Sequence, residues 1–462
     1  MTNPKITITD LFDMPTAVIY NPDDYKPLSN VSIDSRTIKN NSLFVAIKGE
    51  KYDGHKFVKD AIKNGAFAVV ISNKKRKEFT KLKIPYVTVE NTTHAYGYLA
   101  NVWRHKLNAK VIGLTGSNGK TSAKEILSTL LSAKYSVAKS LANNNNHIGV
   151  PLTLFSADKN TEMIVLEEGT NHFGEIEYIA KISQPDVAFI TNIGDSHLEF
   201  LENRDGVFKE KIALLDETEK NNGVVLINND DPYLRKAKKR YSKVVTYGLK
   251  GKVDIKAKVK SYTENGYPVI NIEGKGKKIE TELPLLGEAN VQNYLAAVSV
   301  GIIVGLNKKD LLNRTLEVKP APGRLEVTES NSTMLIDDSY NSNPGSVQAA
   351  VDVLNRIKKY KRKIMILGDM FELGDQKEKL HAGLRDVIMN SKIDEVYMHG
   401  KLMKNLYEAL PGTKVATLHF SLRESLRRFV TQMDLNDAVI LVKGSRGMKM
   451  ETIVNVIKER LN

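Results

Sequence analysis

Residues 111–121 read Val-Ile-Gly-Leu-Thr-Gly-Ser-Asn-Gly-Lys-Thr, an apolar run passing directly into a glycine-bracketed Lys-Thr, and residues 123–131 continue with apolar helical spacing. A short buried strand, a tight turn and a helix are expected in that order. Gly116 and Gly119 let the backbone curl until successive N–H groups of 116–121, Ser117 and Asn118 included, point into one concavity. A concavity of that kind at a helix N-terminus is a phosphate site. In it Lys120 reaches the outer phosphates and the Thr121 hydroxyl holds a magnesium ion. The strict eight-residue P-loop pattern has glycine where this chain has Leu114, so the shorter Gly-x-x-Gly-Lys-Thr carries the reading. The stretch points to an α/β domain that binds a nucleoside triphosphate.

Working outward, apolar runs at 163–166, 187–191 and 224–228 alternate with amphipathic helical stretches, the pattern of a doubly wound parallel sheet. Residues 252–286 read as a strand-rich, turn-rich insertion, closed by a helix over 290–304. Upstream, short strands at 42–47, 66–71 and 86–89 precede a helix over 92–106 that holds the only tryptophan, Trp103. Asn108-Ala109 marks a boundary after it. Lys319-Pro-Ala-Pro-Gly323 marks a second. Beyond that point strands at 334–336, 364–367, 395–398 and 438–442 predict another doubly wound unit. A chain of 462 residues exceeds what one core supports, and three domains are expected: 1–107, 108–320 and 321–462.

The chain has 68 basic and 54 acidic side chains, a net charge of +14, and no cysteine. Disulfides and thiolate metal sites are thereby excluded. Neither a secretory signal nor an 18-residue apolar run is present, so a cytoplasmic location without membrane insertion is expected. The densest basic run, Lys74-Lys75-Arg76-Lys77, has only Phe79 near it as an aromatic and reads as a solvated connection, with no nucleic-acid partner. The basic balance suits an anionic small substrate.

Strand ends of a parallel sheet deliver side chains to one edge. Glu167, ending the run at 163–166, is placed to hold a metal beside Thr121, and His197 follows the run at 187–191 on the same edge. Lys209 and Lys211 lie on the next helix. Arg324 follows the second boundary, where domain closure swings it toward the phosphates. Residues 337–344, Asp-Asp-Ser-Tyr-Asn-Ser-Asn-Pro, hold more hydrogen-bonding side chains than a turn needs, and Lys443-Gly-Ser-Arg446-Gly is a basic loop suited to an anion.

Residues 115–121, Asn145-Asn146 with Ile148-Gly-Val-Pro151, Glu167-x-Gly169, and Thr191-Asn-Ile-Gly194 with His197 resemble the Mur ligases. The segments Asp34-Ser-Arg36, Asp53-Gly-His55, Leu367-Gly-Asp-Met370 with Glu372-Leu-Gly374, and 443–447 extend the resemblance over nearly the whole chain. It implies a small N-terminal α/β domain holding the UDP end of a nucleotide substrate, a central P-loop ATPase, and a C-terminal Rossmann-like domain. It also implies an ATP- and magnesium-dependent ligase. The enzyme would activate UDP-N-acetylmuramoyl-tripeptide as an acyl phosphate and join it to D-alanyl-D-alanine, acting as a monomer. Carried over by position, the resemblance assigns ATP contacts to Gly116, Ser117, Asn118, Gly119, Lys120, Thr121, Asn293, Arg324 and Asp338. Magnesium falls to Thr121, Glu167, His197 and a carbamylated lysine, which ungapped counting from His197 makes Lys211 rather than Lys209. The catalytic set is Lys120, Lys211, His197 and Arg324. Substrate contacts fall to Ser35, Arg36, Asn145, Asn146, Tyr340 and Asn341. The chain departs from many relatives at His147, where an acidic residue is common, and at Ala289, where a histidine is.

Overall fold

The strand Lys110–Thr115, buried from Val111 onward, lies inside a nine-stranded sheet. We describe residues 4–330, 332–412 and 414–461 in a computed structural model. From one edge the sheet runs Val137–Lys139, Met163–Glu167, Lys110–Thr115, Val187–Ile190, Val224–Asn228, Val244–Gly248 and Ile255–Tyr262, all parallel. Pro268–Gly274 and Lys277–Glu282 complete it as antiparallel strands. The expected insertion at 252–286 is thus no separate unit, because Ile255 pairs with Tyr247 and the sheet continues through it. Its strands alternate, with Ile255 and Ala257 buried and Lys256 and Lys258 exposed, whereas the central strands Lys110–Thr115 (from Val111), Met163–Glu167 and Val187–Ile190 are buried along their length. One solvated face is what antiparallel strands tolerate and parallel ones rarely do.

The N-terminal sheet has five strands in the order Val18–Tyr20, Tyr86–Val89, Ala66–Ser72, Ser42–Val45 and Val31–Ser32, antiparallel only at the first pairing. The helix Thr92–His105 joins it to the central sheet: Tyr96, Leu99 and Trp103 share one apolar cluster with Leu43 and Val70 on one side and Leu154, Leu166 and Ile182 on the other. Trp103 Nε1 donates to the Ala157 carbonyl at 3.0 Å across that junction.

The C-terminal sheet runs Glu326–Ser330, Thr333–Asp338, Ala438–Lys443, Arg362–Gly368, Glu395–His399 and Ala416–Phe420, antiparallel only between the first two. The two edge strands, Glu326–Ser330 and Ala416–Phe420, escape the apolar-run signal because neither contains a fully buried residue. Three α/β domains result. Among the described residues no helix is long and apolar enough to cross a membrane. The C-terminal ends of the central strands face those of Thr333–Asp338 and Ala438–Lys443, and the cleft between them is where ligands of such sheets bind.

Candidate active site

The phosphate loop is shaped by two glycines. Gly116 has φ +152° and Gly119 φ +82°. A Cβ on Gly116 would stand 1.8 Å from Thr191 Oγ1, and one on Gly119 2.6 Å from Asn293 Oδ1. The loop after Val187–Ile190 braces the turn from behind. Ser117 N donates to the Asn192 carbonyl and Asn118 N to Asn192 Oδ1, both at 3.0 Å, while Thr191 Oγ1 donates to the Asn118 carbonyl at 2.6 Å. Gly194 N donates to Ser117 Oγ at 2.9 Å. The helix Lys120–Leu131 starts at once, and Lys120 Nζ folds back onto the Gly116 carbonyl at 2.8 Å. Desolvation pushes the Lys120 ammonium below the usual lysine range and Arg324 adds to this, while Glu167 opposes it.

Glu167 ends its strand with its carboxylate buried. Oε1 accepts from Asn145 Nδ2 at 3.0 Å, whereas Oε2 has no hydrogen-bond donor. Lys124, one turn beyond Lys120, is fully buried with Nζ 3.7 Å from that oxygen. Sequence reasoning passed it over, although the i, i+4 spacing from Lys120 on a helix places both on one face. Next to Glu167, Glu168 is also fully buried; it accepts from Ser183 Oγ at 2.8 Å, and burial pushes its pKa up to about 8.

His197 adopts left-handed backbone, φ +53°, and its Nδ1 lies 3.1 Å from Glu372 Oε2 of the C-terminal domain. Lys211, on the helix Arg204–Lys220, is fully buried with no hydrogen bond to Nζ. Burial, reinforced by the Lys120 charge, holds its pKa well below the usual lysine value. Lys209 is exposed, its ammonium 5.6 Å above the Phe173 ring.

The C-terminal domain rests directly on the loop. Arg324 Nη2 donates to Thr121 Oγ1 at 3.1 Å, and its guanidinium lies 4.1 Å over the Tyr340 ring, with Arg446 5.6 Å from the same ring. Asn343 Nδ2 donates to Asn118 Oδ1 at 2.8 Å. Lys443, nearly buried, donates to Asp338 Oδ2 at 2.7 Å and to the Asn341 carbonyl at 2.9 Å. Burial raises the Asp338 pKa even though Lys443 pulls the other way.

These groups enclose a cavity of about 890 Å³ whose lining includes residues 117–121, Asn145, Asn146, Glu167, His197, Asn293, Arg324, Asp338, Tyr340 and Asn341. Gly116 and Lys211 lie behind that surface. Asn146 also braces the approach to the helix Gly149–Ser156, its Oδ1 accepting from Ile148 N at 3.1 Å and Gly149 N at 2.9 Å. Ser35 and Arg36 do not line the cavity. Ser35 is buried with its carbonyl accepting from Asn64 Nδ2 at 2.9 Å, and Arg36 is exposed and paired with Asp34 at 2.7 Å. Glu50 is the N-terminal residue that reaches the lining.

Among the described residues no three His, Asp or Glu side chains form a ready metal cage. The donors present are one unbonded buried carboxylate oxygen (Glu167), one imidazole (His197) and one hydroxyl (Thr121). Such a set fits a hard cation that completes its shell with phosphate oxygens and water.

Comparison with known proteins covers nearly the whole chain. Residues 27–104 match the model described as Mur ligase family, catalytic domain; 114–301 match Mur ligase middle domain; 323–446 match Mur ligase, glutamate ligase domain. The UDP-N-acetylmuramoyl-tripeptide–D-alanyl-D-alanine ligase of Bacillus subtilis is 34% identical, across 98% of this chain and 99% of its own. The crystal structure of MurF from Acinetobacter baumannii superposes with TM-score 0.87 at 29% identity, across 99% and 100%. MurF ligase from Thermotoga maritima in complex with ADP superposes with TM-score 0.82 at 28% identity, across 94% and 97%.

Proposed function

The chain belongs to the Mur ligase family, and on that premise we propose that it adds D-alanyl-D-alanine to UDP-N-acetylmuramoyl-tripeptide with ATP, a cytoplasmic step of peptidoglycan precursor synthesis. The products are the UDP-muramoyl-pentapeptide, ADP and phosphate. The observation that carries the reading is the meeting of Thr121, Arg324 and Glu167 in one cleft, where a phosphate cradle, a cation from a second domain and an unbonded carboxylate oxygen converge.

In this reading a tripeptide carboxylate oxygen attacks the γ-phosphorus and ADP leaves. The dipeptide amine then attacks the acyl phosphate carbonyl, loses a proton and expels phosphate. Bringing a carboxylate to a triphosphate sets anion against anion, so Lys120, Arg324 and the backbone N–H groups of 116–121 supply the positive field. Thr121, Glu167, His197 and a modified Lys211 would hold magnesium, which would supply further charge neutralisation. Burial lowers the Lys211 pKa and so favours the neutral amine, which suits that modification, because only a neutral amine adds to carbon dioxide, forming an N–C bond and releasing one proton. Residues 1–107 hold the UDP end and 108–320 the ATP, and the Rossmann-like domain of 321–462 closes on the cleft from the other side. The Arg324–Thr121 hydrogen bond ties the last of these to the phosphate cradle, and the Tyr340 ring lies under the same guanidinium.

The test is ADP release by the purified protein with UDP-muramoyl-tripeptides that differ in their third residue, with and without D-alanyl-D-alanine. Release that requires both substrates is expected. Release driven equally by glutamate, without the dipeptide, would overturn the reading.

A further inference from the structure

We infer that Lys124 is a positioning residue that orients the Glu167 carboxylate and leaves one of its oxygens free for a cation; the inference rests on the proposed reading of the cleft. Lys124 is fully buried inside the helix that begins the phosphate site, with one carboxylate at hydrogen-bond distance and a second beyond it. Its Nζ lies 3.2 Å from Glu125 Oε1, 3.4 Å from the Ala142 carbonyl and 3.7 Å from Glu167 Oε2. A buried ammonium is costly to desolvate, and Glu125 offsets that cost; its approach to Glu167 and Ala142 as well needs a reason.

The reason lies in the Glu167 carboxylate. Asn145 Nδ2 holds Oε1 at 3.0 Å and so sets which way the group faces. At 3.7 Å, Lys124 is within ion-pair range of Oε2 but beyond hydrogen-bond range, and that oxygen keeps all its lone pairs. A closer lysine would occupy the acceptor; without Lys124 the buried carboxylate would lose the cation facing its free oxygen. Lys124 also reaches the loop that carries Asn145, at Ala142, whose φ of +48° is unusual for a non-glycine residue. One side chain therefore connects the phosphate helix, the strand-end carboxylate and the asparagine loop. Lys139 pairs with the other oxygen of Glu125, on the outer side of this group.

The test measures how strongly magnesium improves ADP affinity, by calorimetry with and without the ion, in the absence of both peptide substrates. Lys124→Met and Lys124→Gln should keep the metal-free ADP affinity within about twofold and lower the magnesium enhancement at least about tenfold. Lys139→Met, which breaks only the outer pair, should match wild type. Lys124→Gln retains a polar end for the Ala142 carbonyl and covers the case in which Lys124→Met does not fold. An enhancement equal to or larger than wild type in either folded variant overturns the inference. Because the assay omits tripeptide and dipeptide, it fails separately from the ligase reading, which fails on the absence of dipeptide-dependent ADP release by the wild-type protein.

Discussion

Gly116→Ala isolates the phosphate loop from the rest of the molecule. The residue sits at φ +152°, a region that L side chains rarely enter, and an added Cβ would lie 1.8 Å from Thr191 Oγ1. Relieving the overlap requires Thr191 to rotate, which removes its 2.6 Å hydrogen bond to the Asn118 carbonyl. Backbone strain costs about 1–3 kcal/mol and the lost hydrogen bond about 1 kcal/mol. The loop then avoids roughly 2–4 kcal/mol by leaving the geometry that binds phosphate, equivalent to an ATP affinity weaker by about thirty- to a thousandfold. The sheet beneath is packed by Ile112, Leu114, Ile126 and Phe189, none of which the substitution touches, so the variant should stay folded. Calorimetric titration with ATP, alongside circular dichroism, measures both quantities. A folded variant that binds ATP within about threefold of wild type would show that the 116–121 turn is not the phosphate cradle.

Lys211→Ala should abolish ADP release and regain part of it with acetate or formate, small carboxylates able to enter the space left by the side chain, while Lys209→Ala should turn over normally; the opposite pattern in steady-state assays would move the role to the exposed lysine. Glu168 links stability to pH. Its folded pKa of about 8 lies above the ordinary 4.5, so the folded state holds a proton that the unfolded state has released between these values. Wild-type stability should therefore fall as pH rises from about 4.5 to 8, by up to about 1.4 kcal/mol per unit from this group. Glu168→Gln keeps an acceptor for Ser183 and should flatten that slope, giving equal stability near pH 4 and a clear gain at pH 8. Urea unfolding at the two values measures it, and a pH-independent difference would place the Glu168 proton elsewhere.

Much of the architecture was legible because it depends on local chemistry. Buried parallel strands read as unbroken apolar runs, and the glycines of 116–121 announce a turn that only glycine permits. The strand Glu326–Ser330 stayed hidden because an edge strand buries little and its pairing with Thr333–Asp338 is a tertiary event. The junction of the N-terminal and central domains was hidden for a similar reason. The helix Thr92–His105 is amphipathic in either setting, and only packing reveals that it serves both cores.

The amino-acid order alone determined that a phosphate-binding turn would stand between strand and helix, and which strand ends would carry Glu167 and His197. Backbone preference and periodicity act over a few residues and leave that imprint on any chain that obeys them. Tertiary structure decided which distant groups meet: Arg324 reaches Thr121 across 203 positions, and Glu372 faces His197. It also separated Lys211 from Lys209. Two residues apart on a helix, they point about 200° away from each other, so one is sealed in the core and the other left in water. Burial and long-range approach are properties of the packed whole, set by how the three sheets fit together.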